Sequence, residues 1–208
     1  VDDLPGQILM ATVWIYWTGV LVMSVLSRLW FRQAAGLLPQ KAAERLVWPA
    51  WALVIAAWVV LPRLALKDHH PLLQLPEGAT SSSALYCLRL MASLVALGCL
   101  LVTIRCWVRM GRSWSIAVVP SAKTQLVTSD LYALVRHPIY ALSILLMLTS
   151  MVVVPTIPMA AAGFAHIALM AFKARSEEHS LLGMHGAEYA DYCRRTGRFF
   201  PRFSMRAP

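Results

Sequence analysis

Two short runs hold most of the chain's reactive side chains: RHPIY at Arg136–Tyr140 and EEHSLLGMHGAEYADY at Glu177–Tyr192. The first sets a guanidinium, an imidazole and a phenol close together. The second opens on adjacent carboxylates, Glu177 and Glu178, with Arg175 just before them and Tyr189 and Tyr192 further on. The carboxylates follow an apolar run, where a helix is expected to end. Negative charge at a helix C-terminus opposes the macrodipole, so something must favour them there. A cationic ligand would.

The elements that position these runs are set by composition. Of the 208 residues, 59% are hydrophobic and 14% are charged, with a mean hydropathy of +0.61. Soluble domains carry about 25% charged residues, so the chain reads as a polytopic membrane protein, all-α, in one bundle. Five apolar segments stand out at Ile8–Leu26, Leu46–Leu61, Leu85–Ile104, Ile139–Val154 and Ile157–Phe172. About 20 helical residues cross a hydrocarbon core of ~30 Å. The first and third segments meet that length outright, and the second meets it by borrowing its flanks. The last two are short, with Pro155 and Pro158 between them, and predict a helical hairpin closed by a PTIP turn. A separate tail helix is expected over Ser176–Arg195, weakened by Gly183 and Gly186. The outer connection Pro62–Ser83 reads as irregular. The whole of 1–208 forms one domain, with 1–106 supplying the first three spans and 107–208 the chemistry.

A net charge of +9 would suggest nucleic acid in a soluble protein; in a membrane protein it reports orientation. Sixteen of the 19 Lys and Arg fall in the loops after the first and third segments and in the tail, against Arg63, Lys67 and Arg89 on the other side. Arg89 is expected to snorkel to the outer interface. This asymmetry places the N-terminus outside and the C-terminus in the cytoplasm. The chain opens on Val1, which points to a processed start. VDDLPGQ lacks the basic region of a secretory signal, and the closing MRAP has no CaaX-like box.

Cys87, Cys99, Cys106 and Cys193 form no CxxC pair and read as small hydrophobes. No metal site is expected: Asp68-His69-His70 lacks an evident fourth ligand, and His179 and His185 share no helical face. His166 lies mid-segment, where a neutral imidazole bonded to a neighbouring helix accounts for it as well as a functional role does. No GxGxxG, P-loop or GxSxG run occurs.

RHPIY, followed by EE, a leucine and the GAEYADY run, resembles the signature of the isoprenylcysteine carboxyl methyltransferase family of integral membrane enzymes. WVRMGRSWS at Trp107–Ser115 and FFP at Phe199–Pro201 fit the same pattern, so the resemblance covers about Trp107 to Pro201. Two departures stand out: Asp130-Leu131 replaces the usual Gly-Pro before the tyrosine, and His185 replaces the aromatic before Gly186. The resemblance implies S-adenosyl-L-methionine as cofactor, held under a cap made by the inner loop and the tail. It implies methyl transfer to a lipophilic acceptor entering from the bilayer, foremost a carboxylate, with a thiol as the other option. A carboxylate needs no general base, and no dedicated base is evident.

On that reading Arg136 and Glu178 are the catalytic pair. His137, Tyr132, Tyr140, Glu177, Glu178, Tyr189 and Tyr192 bind the cofactor: carboxylates for ammonium and hydroxyls, His137 as donor or acceptor, tyrosines as walls with polar tips. Arg136 offers its planar fork to a carboxylate. Five helices are fewer than the larger eukaryotic enzymes have, which places the chain in a prokaryotic inner membrane. The partners are then the lipid bilayer and the acceptor, with no nucleic acid and no metal. Two alternatives are a membrane NADPH-dependent sterol-type reductase and a non-enzymatic transporter or bundle subunit. The RHPIY–EE pair argues against the first. Polar residues gathered at one face, not along the midplane, argue against the second.

Overall fold

The computed structural model describes residues 3–31, 42–67, 70–111 and 126–202. The chain is a polytopic helical membrane protein. Helix α1 spans Leu4–Phe31, α2 Ala42–Lys67, the short α3 Gly78–Ser81, α4 Ser83–Met110, α5 Pro138–Val153 and α6 Ile157–Arg195. Four of these are long and apolar enough to cross a membrane, and α5 is a shorter apolar helix. There is no β-strand among the described residues.

Packing centres on α4, which lies against α1 and α5, while α6 packs on α2 and α5. Large apolar residues such as Leu21, Leu53, Leu101 and Phe164 point outward and are exposed, as lipid-facing positions require. The buried core joins Leu9, Val13 and Tyr16 of α1 to Trp58 of α2, Leu100 of α4 and Met147 of α5. Within and beside it Tyr16 contacts Trp17, Trp58 and Trp107.

Several expectations change. The tail helix does not begin at Ser176: α6 runs from Ile157 through Glu177 and Glu178 to a kink at Gly186, beyond which helix continues to Arg195. At 1.5 Å per residue its 39 residues extend roughly 58 Å, well beyond a ~30 Å core. The two carboxylates are therefore in mid-helix and the macrodipole argument for a ligand fails. Gly186 alone interrupts α6, at φ 51 and ψ −121, a left-handed conformation that glycine adopts without a Cβ penalty. The outer connection is also more ordered than expected, since α2 continues to Lys67 despite Pro49 and Pro62, and α3 forms within the rest. The PTIP turn is as anticipated, with the Thr156 hydroxyl capping α6 by accepting from Met159 N and Pro158 in its first turn.

Arg89 does not snorkel. It is 2% exposed and its guanidinium donates to Asp3 Oδ2 at 2.6 Å, Val153 O at 2.8 Å and Ala79 O at 3.1 Å. One side chain thereby ties the start of α1 and the short α3 to the C-terminal turn of α5, whose last carbonyls have no helical partner. Asp3, in the acidic start VDDLPGQ, is thus half of a buried ion pair.

Candidate cofactor site at the basic end of the bundle

RHPIY sits where the chain enters α5. His137 precedes the helix, and Pro138 occupies its first turn, where a missing N–H costs nothing. Just before it, Asp130–Ala133 form a 3-10 turn that begins at an unusual residue: Asp130 has φ 60. This is the position where the family's run has glycine, and aspartate tolerates the left-handed region better than most residues. Arg105 of α4 donates to Asp130 Oδ2 at 3.2–3.3 Å, and Arg109 bonds the Ser129 hydroxyl, so the end of α4 fixes the turn from outside.

The chain beyond α6 then folds back on this entry. Arg136 N donates to Gly197 O at 2.8 Å and His137 N to Arg198 O at 3.1 Å, around a parallel bridge between Val135 and Gly197. Tyr192 OH donates to Tyr132 O at 2.6 Å. Residues 196–200 form a strap laid along RHPIY, and the bend at Gly186 lets the last turns of α6 bring Tyr189 and Tyr192 to it.

The two sequence runs meet inside this frame. Arg136 Nε donates to Glu178 Oε1 at 2.9 Å, and its Nη1 donates to the carbonyls of Cys193 (3.2 Å) and Thr196. Tyr140 OH donates to Glu177. His137 lies between the carboxylates, Nδ1 3.6 Å from Glu177 and Nε2 3.4 Å from Glu178, and its ring stacks on Tyr140 at 5.3 Å. Arg175 is exposed and stands outside this group.

Reading the sequence missed Arg198. Its Nε bonds both oxygens of Glu178 at 3.0 Å and its Nη2 bonds Oε2 at 2.5 Å. Its position just before FFP was the available signal, but its partner could not be read without the fold-back of the strap. Glu178 thus holds two guanidiniums, and the Arg136 fork expected for a ligand is largely spent on the protein itself.

Glu178 lies about 32 Å along α6, beyond the apolar span. Burial alone would raise its pKa, but the nearby His137 and the bonds from Arg198 and Arg136 outweigh it and hold the carboxyl well below the usual carboxylate range. The bond to Glu178 likewise raises Arg198, against a smaller burial effect. Tyr132 is buried, and burial first, then the charges of neighbouring groups, push its hydroxyl well above its ordinary value, so it stays neutral.

Two buried polar atoms here have no hydrogen-bond partner: His137 Nε2, which stands 3.4 Å from Glu178 without hydrogen-bond alignment, and Tyr189 OH. Unpaired buried polar atoms are costly. Glu177 is the less committed of the two carboxylates. A ligand with an ammonium, a carboxylate and hydroxyl groups fits this set of donors and acceptors.

Residues 90–183 match the model of the isoprenylcysteine carboxyl methyltransferase (ICMT) family. Over that stretch the chain is similar to the ICMT family. The match takes in α4, α5, RHPIY and both carboxylates, and leaves α1, α2 and the strap outside it. Among curated proteins, the nickel-cobalt-cadmium resistance protein NccN of Alcaligenes xylosoxydans xylosoxydans is 37% identical over 117 residues, 55% of this chain and 53% of NccN. The cobalt-zinc-cadmium resistance protein CzcN of Cupriavidus metallidurans is 34% identical over 97 residues, 46% of this chain and 45% of CzcN. The match thus spans about half the length of these relatives. No solved structure matches the chain.

Within the matched stretch the structure brings Arg136, His137, Tyr140, Glu177 and Glu178 into one cluster; Tyr132, and beyond the match Tyr189 and Tyr192, stand beside it through Tyr192. The expected cap is described only in its tail half. Residues 112–125, including the end of WVRMGRSWS, lie outside the described residues, as do Asp68 and His69.

Proposed function

We propose that the chain is a membrane-bound S-adenosyl-L-methionine-dependent methyltransferase acting on a lipophilic acceptor, foremost a carboxylate. The observation that carries this reading is the convergence of RHPIY with Glu177 and Glu178 inside the stretch that matches the ICMT family. When bound, the cofactor's sulfonium supplies a methyl group already activated for displacement. The chain's own part is positioning and exclusion of water.

Glu177, oriented by Tyr140, takes the ammonium or a ribose hydroxyl. His137 presents its unpaired Nε2 to the same ligand. Glu178 acts as a strut that holds Arg136 and Arg198 and, through them, the strap. Phe199, whose ring lies 6.2 Å from His137, and Tyr140 shield the group from water. A carboxylate acceptor arrives deprotonated, so no base has to be found. Basic residues cluster at this end, which supports a cytoplasmic placement.

NccN and CzcN are named for metal resistance. The test is incubation of purified protein with methyl-tritiated cofactor and a panel of lipophilic acids and thiols. Label in an organic extract that base releases as methanol is the expected result. Base-stable label would make the acceptor a thiol, and no label with any acceptor would contradict the proposal.

A further inference from the structure

The two phenylalanines of the strap face different surroundings. Phe199 is half-buried with its ring 6.2 Å from His137, whereas Phe200 is 81% exposed, more than any other large apolar side chain among the described residues. The strap turns sharply to present it, since a Cβ on Gly197 would collide with Phe200 O. A single exposed apolar side chain signals nothing by itself. Its depth does.

His137 N donates to Arg198 O at 3.1 Å, so the strap lies level with the residue that precedes α5. The 16 residues of α5 make a helix about 24 Å long, and Glu178, which Arg198 grips, lies about 32 Å along α6. A hydrocarbon core is ~30 Å thick. Both measures put the strap at the edge of the apolar layer, where Phe200 continues the lipid-facing surface of the spans.

Charge agrees with depth. Arg202 donates to the carbonyls of Cys193 and Arg194, and Arg136 reaches Cys193 O and Thr196 O at the same end of α6. Exposed Arg194, Arg195 and Arg202 therefore stand at the level of the strap. Arg194 and Arg195 share the single carboxylate of Asp191, and Glu188 lies nearly two turns back from Arg194, so cations are in excess here. An aromatic side chain at the edge of the core, beside exposed arginines, suits an anionic lipid surface: acyl chains for the ring, phosphates for the guanidiniums.

We infer that the strap is seated on an anionic leaflet, with Phe200 in its acyl region and Arg194, Arg195 and Arg202 on lipid phosphates, and that this seat holds the strap closed over His137 and Glu178. What the strap encloses rests on the methyltransferase reading; the seat does not. The probes are nanodiscs of phosphatidylcholine alone and of phosphatidylcholine mixed with phosphatidylglycerol.

In a cysteine-free background, a nitroxide at Phe200→Cys should relax faster with oxygen than with a water-soluble nickel chelate. The same order is expected at lipid-facing Leu101→Cys, and the reverse at exposed Glu188→Cys. Hydrogen exchange of the strap in the unaltered chain should be about fivefold slower with the anionic lipid, the factor for one arginine at such a surface. Replacing Arg194, Arg195 and Arg202 together by Gln should erase that difference. Phe200→Ser should speed exchange in both lipids, and Phe200→Leu should keep it slow. Arg194→Gln with Arg195→Gln, which leaves the Arg202 bonds to α6, repeats the test if the triple variant fails to fold. Readier access of the nickel chelate than of oxygen to position 200 overturns the inference, as does strap exchange that is the same in both lipids. Calorimetry of S-adenosylhomocysteine in the same discs judges the other reading separately: a seat without cofactor binding sinks only the methyltransferase, and cofactor binding without a seat sinks only this inference.

Discussion

Arg136 and Glu178, 42 residues apart, form a 2.9 Å ion pair in which both side chains are largely buried, and Arg198 closes on the same carboxylate from the strap. Removing the charge of Glu178 leaves two guanidiniums without their anion. Glu178→Gln is expected to lose about 1.5–3 kcal/mol of stability and to weaken S-adenosylhomocysteine roughly ten- to a hundredfold. Glu177→Gln should weaken the ligand with little change in melting temperature. Melting curves and calorimetry read both; equal melting temperatures for the two variants would contradict the strut. Because the Glu178 carboxyl is held low, its stabilisation is present above the ordinary carboxylate pKa of about 4 and is lost as pH falls toward the lower folded value.

Arg136→Lys keeps the charge that orients the protein but cannot bond Glu178 and two carbonyls at once. Insertion should be normal, and most methyl transfer should be lost. Full turnover by this variant would reduce Arg136 to a topogenic charge.

At the opposite end, breaking the Arg89–Asp3 pair leaves a buried charge alone, at a cost of about 3–5 kcal/mol. Arg89→Met and Asp3→Asn should each lower the melting temperature in detergent by many degrees. A change of a degree or two in either would show that the pair contributes little.

Asp130 stands in a glycine's conformation, held by an exposed ion pair worth ~1 kcal/mol or less. Asp130→Gly should therefore leave stability unchanged or slightly higher, while a β-branched residue, Asp130→Val, should lower it by about 1–2 kcal/mol. Thermal melts would check this, and a stable Asp130→Val would argue against the strained turn.

The sequence made the spans legible because lipid imposes long apolar runs, and it made the RHPIY–EE cluster legible because antiparallel neighbours bring those runs together. Other features could not be read one segment at a time. Glu177 and Glu178 look like a helix end when hydropathy falls at Lys173, but helix propensity continues through SEEHSLL, and the helix bends only at Gly186. Arg198 finds Glu178 only after the chain reverses at Thr196, and Arg89 finds Asp3 across 86 residues. Pairings of that range depend on packing between helices, which no local pattern records.

The charge asymmetry also predicts orientation. In a cysteine-free background, a single cysteine replacing exposed Ser83 should react with a membrane-impermeant maleimide added to intact cells, and one replacing exposed Glu188 should not. The reverse pattern would place the site on the wrong side for a cytosolic cofactor.

The central claim is that the cluster around Glu177 holds S-adenosyl-L-methionine. Titration calorimetry of S-adenosylhomocysteine into the purified protein, with NADPH titrated in parallel, tests it most directly. Saturable one-to-one binding of S-adenosylhomocysteine, weakened in Glu177→Gln, with no heat from NADPH, is the predicted result. Binding of NADPH without S-adenosylhomocysteine, or of neither, would contradict it.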